Sequence, residues 1–181
     1  SYDAGKNWYH PDFKDVGQFV AIGFDNRHPY HVYGGLQDNG SVVGPSTKAD
    51  GSAILVEDWA RTGGGDGMYN EVDPTNWRFL YNESQNGPIS RHNQETGESK
   101  GIRFRGMDRW AWNAPILISP HDPKTIYHGG NKVVKSNNRG ESWTLISDDL
   151  TTADEVKIAG TGNIQYCTIV TMDESPVQEG V

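Results

Sequence analysis

Four short stretches of this chain crowd together residue types that recognise polar ligands. "LQDNGS" supplies Gln37, Asp38 and Asn39, and "ESQNGP" supplies Glu83, Gln85 and Asn86. Their amides and carboxylates can pair with hydroxyl groups or with a peptide backbone. "ARTGGGDGM" adds Arg61 and Asp66, and "RGMDRWAWNAP" adds Arg109, Trp110, Trp112 and Asn113. An indole stacks on a sugar face or covers an apolar side chain. Together these groups are the equipment of a glycan or peptide site. The same stretches also have a plain structural reading: Asn-Gly and Asp-Asn-Gly make hairpin turns, and two nearby tryptophans can pack between sheets.

To act together, these stretches must be gathered by a repeating scaffold, and the sequence has one. Gly5, Gly51, Gly97 and Gly140 recur at steps of 46, 46 and 43 residues, and Tyr33, Tyr81 and Tyr127 at steps of 48 and 46. Each Tyr follows an Asp-containing turn, in "FDNRHP", "VDPTNW" and "SPHDPK". Periods of 40 to 50 residues with strand-like segments are the signature of propeller blades, one four-stranded sheet per repeat. The expected fold is therefore all-β: a β-propeller fragment of about three four-stranded blades with partial blades at both ends. Residues 1–17 would end one blade, 18–60, 67–105 and 114–150 would form three, and 165–181 would begin the next.

Within each repeat the strands read as "FVAIGF", "HVYGGL", "SVVGPS" and "AILVEDW"; then "MYNEV", "FLYNES", "PISRHN" and "SKGIRF"; then "PILIS", "TIYHGG", "KVVKSN" and "SWTLIS". In an up-and-down sheet, the second-to-third strand turns and the sheet-to-sheet loops lie at one end. All the ligand-type residues above fall in that set, around one mouth of a central channel.

At the opposite end, "SYDAGKNW" and "SNNRGESW" share the spacing Ser-x-Asp/Asn-x-Gly-x-x-Trp through Ser1, Asp3, Gly5, Trp8 and Ser136, Asn138, Gly140, Trp143. Hydroxyl and Asx oxygens at these positions can accept turn N–H groups, Gly can take a positive φ, and Trp can fold back into the gap between blades. The acidic Asp3 is thus read as structural. "TKADGSAI" and "NQETGESK" are decayed copies.

The pattern resembles the Asp-box, or BNR repeat, of sialidases and sortilin-type receptors. With "WNAPILISPHDPKTIYHGGNKV" and "SNNRGESWTLISDDLT", nearly the whole chain resembles large secreted bacterial proteins labelled glycosyl hydrolase, BNR-repeat or sortilin-like. That resemblance implies a secreted, periplasmic or cell-surface location and a partner in the remaining blades of a longer protein. The sortilin likeness implies glycan or peptide binding. A likeness to xyloglucanase-type propellers implies hydrolysis, with Asp38 just after the second strand as one catalytic carboxylate and Asp66, or a group outside this chain, as the other. Such a pair must stand about 5 Å or 6.5–9.5 Å apart.

Composition excludes other classes. A net charge of −8 without a basic run disfavours nucleic acid, and no apolar stretch approaches the roughly 20 residues of a membrane helix. The six His have no metal spacing, "TGGGDG" lacks the Lys of a phosphate loop, and Cys167 is alone, so neither metal nor cofactor is expected. "NGS" at Asn39 and "NES" at Asn82 have glycosylation-acceptor form, both placed in tight turns.

Overall fold

The computed structural model describes residues 1–9, 17–160 and 162–181. Among the described residues, twelve strands form three four-stranded antiparallel sheets, each a simple meander. Sheet 1 contains β1 (Phe19–Phe24), β2 (His31–Leu36), β3 (Gly40–Pro45) and β4 (Ala60–Gly63). Sheet 2 contains β5 (Gly67–Val72), β6 (Phe79–Ser84), β7 (Ile89–Asn93) and β8 (Ser99–Gly101), and sheet 3 contains β9 (Ile116–Ile118), β10 (Ile126–Gly129), β11 (Val133–Ser136) and β12 (Thr144–Leu145). The sheets do not close into a ring. The expected start of the chain falls partly on residues 10–16, outside the described residues.

Strand β5 packs against β1 and β2 on one side and β9 on the other, so sheet 2 is sandwiched between its neighbours. The period of two along β6 sorts its residues between the two interfaces. Leu80 joins Tyr33, Val43 and Val72 against sheet 1, while Tyr81 joins Ile89, Ile102, Ile116, Ile118 and Ile126 against sheet 3. The first interface is drawn close by glycines. A Cβ on Gly23 would lie 2.2 Å from the Asn70 carbonyl oxygen, and one on Gly35 would lie 2.1 Å from that of Met68.

The fourth strand of sheet 1 lies later than expected. "AILVEDW" is not a strand; it holds a 3-10 turn at Val56–Asp58, and β4 follows it. The reason is Asp58, whose carboxylate accepts the Leu55 N–H at 2.7 Å and pairs with Lys48 Nζ at 3.1 Å. Trp59 then packs its ring over Gly44, where a Cβ would stand 2.5 Å from the indole. The outer strands β8 and β12 are also shorter than expected. A short helix, α1 (Glu155–Ala159), was not anticipated; Asp154 caps it by accepting from Val156 N and Lys157 N. Asn82 is buried within β6 rather than placed in a turn.

Residues 165–181 form no strand. They lie against sheet 3 instead: Ile169 N donates to Gly130 O at 2.7 Å, and the Tyr127 hydroxyl donates to Glu174 Oε1 at 3.0 Å. A cavity of about 420 Å3 remains between this segment and the sheet, floored by Leu117, Tyr127, Val133 and Ile146. At the other flank, Ile22 and Phe24 of β1 are each 69% exposed.

Candidate functional site

The β2–β3, β6–β7 and β10–β11 turns and the loops entering β5 and β9 share one end of the sheets, and one hydrogen-bond device recurs there. Gln37 N donates to Gln18 O at 3.0 Å, Gln85 N to Asp66 O at 3.1 Å and Asn131 N to Arg109 O at 3.0 Å. In two copies the side-chain oxygen completes the pair, Gln85 Oε1 accepting from Asp66 N at 2.8 Å and Asn131 Oδ1 from Arg109 N at 3.3 Å. Gln37 Oε1 instead accepts from Gln18 Nε2 at 3.1 Å. These amides therefore latch each turn to the adjoining chain, which satisfies backbone groups that would otherwise need water.

Asp38 and Asp66 come together, but not as facing carboxylates. Asp66 is buried, and its Oδ1 accepts the backbone N–H of Asp38 at 2.7 Å. Asp38 sits at the exposed turn tip with φ +63°. Its neighbour Asn39 is exposed and donates to Gln37 O, while Arg61 is exposed and turned back on Gly63 O at 3.3 Å.

Glu83 lies one strand position from the cleft that Asn82 faces, and it points to sheet 3. Its Oε1 accepts from Gly87 N at 3.2 Å and Ala114 N at 3.3 Å, while Oε2 has no partner. Burial pushes this carboxyl up to about 9, against the pull of those N–H groups, so it is protonated at neutral pH. Nearby, Glu71 on β5 is pushed up to about 7 by burial.

The loop from Arg103 to Pro115 divides its residues between core and surface. Trp110 is 2% exposed and stacks on His128, ring centroids 4.2 Å apart, and so contributes packing rather than open surface. His128 is fully buried with neither ring nitrogen paired; burial pushes it down to about 3 and keeps it neutral. Arg109 turns away from the mouth, donating to Asp149 Oδ2 at 2.5 Å and Cys167 O at 3.2 Å. Hydrogen bonds from Thr151, Asn131 and Arg109 hold the Asp149 carboxyl well below its usual range.

Trp112 and Asn113 remain half-buried at the mouth. The Trp112 carbonyl accepts from Asn86 N at 3.1 Å, and Arg103 donates to Asn86 O at 3.1 Å. Among the described residues, Asn86 Oδ1 and Asn113 Oδ1 are buried acceptors without partners, although the Asn113 side chain also meets that of Tyr69.

At the far end, the two boxes make matching bonds. Gly5 N donates to Ser1 Oγ and Gly140 N to Ser136 Oγ, both at 2.8 Å; Asn7 N donates to Asp3 Oδ1 and Ser142 N to Asn138 Oδ1, both at 2.9 Å. Gly5 and Gly140 have φ of +85° and +82°. Trp143 reaches into sheet 2, its Nε1 donating to Ile102 O at 2.6 Å, while Trp8 is 81% exposed.

Asn82, His92, Ser41, Ser90 and Ser99, which line a cleft between sheets 1 and 2, were not singled out from sequence as a site. The signal that could have found them is parity. On β6, Asn82 occupies the same face as core residue Leu80, and on β7, Ser90 and His92 share the face paired with it.

Among the described residues no group of three or more His, Cys, Asp or Glu side chains could hold a metal ion, and no helix is long and apolar enough to cross a membrane. In comparisons with known proteins, the sequence matches no family model and no curated relative.

Proposed function

We propose that this chain is a run of blades from an Asp-box-type β-propeller, acting outside the cell, and that its turn-bearing end binds a glycan or peptide. The observation that carries the reading is the patch formed by Asn86, Asn113 and Trp112. Two buried amide oxygens lack partners there beside a half-buried indole. Unpaired buried acceptors are costly, and a ligand N–H or O–H seated on the indole would satisfy them. Arg103 and the exposed Asp38 and Arg61 border the same end.

Further blades would cover the exposed apolar face of β1. The matched bonds of the two boxes support that reading, as does the insertion of Trp143 into the neighbouring sheet.

Hydrolysis by Asp38 and Asp66 is less well supported, because Asp66 Oδ1 is occupied by the Asp38 amide. Glu83 offers a protonated acid, but at 1% exposure it faces sheet 3 rather than solvent. A glycan and peptide array probed with wild type and Trp112→Ala tests the binding reading. Capture by wild type, lost in Trp112→Ala with the fold intact, supports it. Equal capture by both removes the patch from recognition.

A further inference from the structure

We propose that the cleft between sheets 1 and 2 is a binding site for a neutral sugar residue, recognised through the hydroxyl groups of Ser41, Ser90 and Ser99, the amide oxygen of Asn82 and the imidazole of His92. The cleft has a volume of about 280 Å3 and lies toward the outer strands of sheet 2. It is a separate site from the Trp112 patch and does not rest on that reading.

Sheet pairing gathers these residues. Asn82 pairs with Ser90 across β6 and β7, and His92 pairs with Ser99 across β7 and β8, which sets all four on one face of sheet 2. Ser41 on β3 and the backbone of Gly63 and Gly64 form the opposing wall.

The orientation of Asn82 follows from a chain of donors. Asn70 Nδ2 donates to Met68 O at 2.9 Å, so Asn70 turns its oxygen toward Asn82, which must present its own Nδ2. A second donation from that nitrogen goes to Thr62 Oγ1 at 3.4 Å. Asn82 Oδ1 is left as an acceptor with no partner among the described residues, on a residue only 5% exposed.

The other groups are likewise uncommitted. Ser41, Ser90, Ser99 and His92 make no side-chain hydrogen bond to another described group. Hydroxyls both donate and accept, as does a neutral imidazole; burial lowers the basicity of His92 and keeps it uncharged at neutral pH. This is the pattern that matches sugar hydroxyls, which also do both.

Charge defines the class further. The one ionisable carboxyl among the lining residues is that of Glu83, and it is directed to Gly87 N and Ala114 N on the opposite face. Arg91 and Lys100, on the same strands as His92 and Ser99, pair with Glu141 on the far side. A carboxylate or ammonium ligand would enter without a counter-charge and pay for its desolvation. The volume sits just under the range of small-molecule sites, which suits a single ring.

The test is titration of the 15N-labelled protein with methyl glucoside, methyl galactoside and methyl mannoside, alongside glucuronate and glucosamine. Signals of the Asn82 side-chain amide and the His92 ring report on this cleft alone. At least one neutral glycoside is expected to shift both, with the charged sugars at least about tenfold weaker. Ser90→Leu, which fills the cleft, is expected to weaken binding at least about tenfold. Ser99→Leu, at the exposed rim, provides a second variant should the first not fold. The proposal is overturned if no neutral glycoside moves these signals, if the charged sugars bind as well, or if binding survives both substitutions.

Discussion

Replacing Asp66 separates a structural carboxylate from a catalytic one. Its Oδ1 holds the Asp38 N–H at 2.7 Å from a nearly buried position, fixing a turn tip that has positive φ. A hydrogen bond to a charged group contributes about 1.5–3 kcal/mol. Because Asp38 lies in solvent, its freed amide would recover a water partner, so Asp66→Ala is expected to cost about 1.5–2 kcal/mol, the low end of that range. For a chain of this size, that is a fall in Tm of about 3–8 °C. Asp66→Asn retains an acceptor oxygen and should cost under about 1 kcal/mol. Thermal unfolding gives the stability, and amide exchange at Asp38 gives the local effect, which should accelerate in the Ala variant and much less in Asn. An Asp66→Ala protein of undiminished Tm with slow exchange at Asp38 would refute the latch. Glycoside hydrolysis abolished in a fully stable Asp66→Asn would return this residue to catalysis.

The two boxes should differ in cost although their bonds match. Trp143→Ala is expected to lose about 2–3 kcal/mol, less than a fully buried Trp because the ring is only partly buried against the core, and Trp143→Phe about 1 kcal/mol for the bond to Ile102, whereas Trp8→Ala should stay within about 0.5 kcal/mol; urea unfolding measures all three. Arg139 donates to Asp73 Oδ2 at 2.9 Å, and the Asp73 side chain has no exposure, so Arg139→Ala should cost about 3 kcal/mol by stranding a buried charge, read in the same way. For Glu83, whose carboxyl is raised in the fold to about 9, the folded chain holds the proton that the unfolded chain releases near its ordinary value of 4.5. Its stabilisation is complete below pH 4.5 and is lost as pH rises to about 9, at most about 1.4 kcal/mol per pH unit. Glu83→Gln should flatten that slope between about pH 7 and 8.5, above the range where Glu71 contributes the same sign, and an unchanged slope there in chemical unfolding would place the titration elsewhere.

The second strand of each repeat was the most legible part of the sequence. "HVYGGL" and "FLYNES" coincide with β2 and β6, and "TIYHGG" contains β10, because consecutive aromatic and aliphatic residues there form a run buried on both faces. Fourth strands were the least legible. "AILVEDW" has strand composition, yet a single carboxylate, Asp58, bonds locally and ends the extended run before β4 begins. Most mouth residues fall in turns and loops as read from the sequence, but Arg61 lies within β4 and Glu83 within β6, and the commitments of the rest were not visible. Gln85, Asp66 and Arg109 are occupied by bonds to residues 19 to 58 positions away. Trp110 and Trp112 stand two residues apart, and only the packing of His128 against the first tells core from surface. The cleft residues were harder still, being single polar side chains spread over four strands and two sheets.

The recurrent latch has a practical consequence. What each turn grips is mainly the main chain of residue 18, 66 or 109, so three quite different side chains, Gln, Asp and Arg, occupy equivalent places. A segment anchored through its carbonyl is free to change composition while its endpoints stay fixed. Apart from Asp66, Met107, Arg109 and Trp110, whose side chains latch or pack, positions in the stretches around Arg61–Asp66 and Arg103–Asn113 are therefore graftable, in the way antibody loops are exchanged on a constant frame. Substitutions at Gly64, where an added side chain meets no neighbouring atom, could vary recognition without redesigning the sheets beneath.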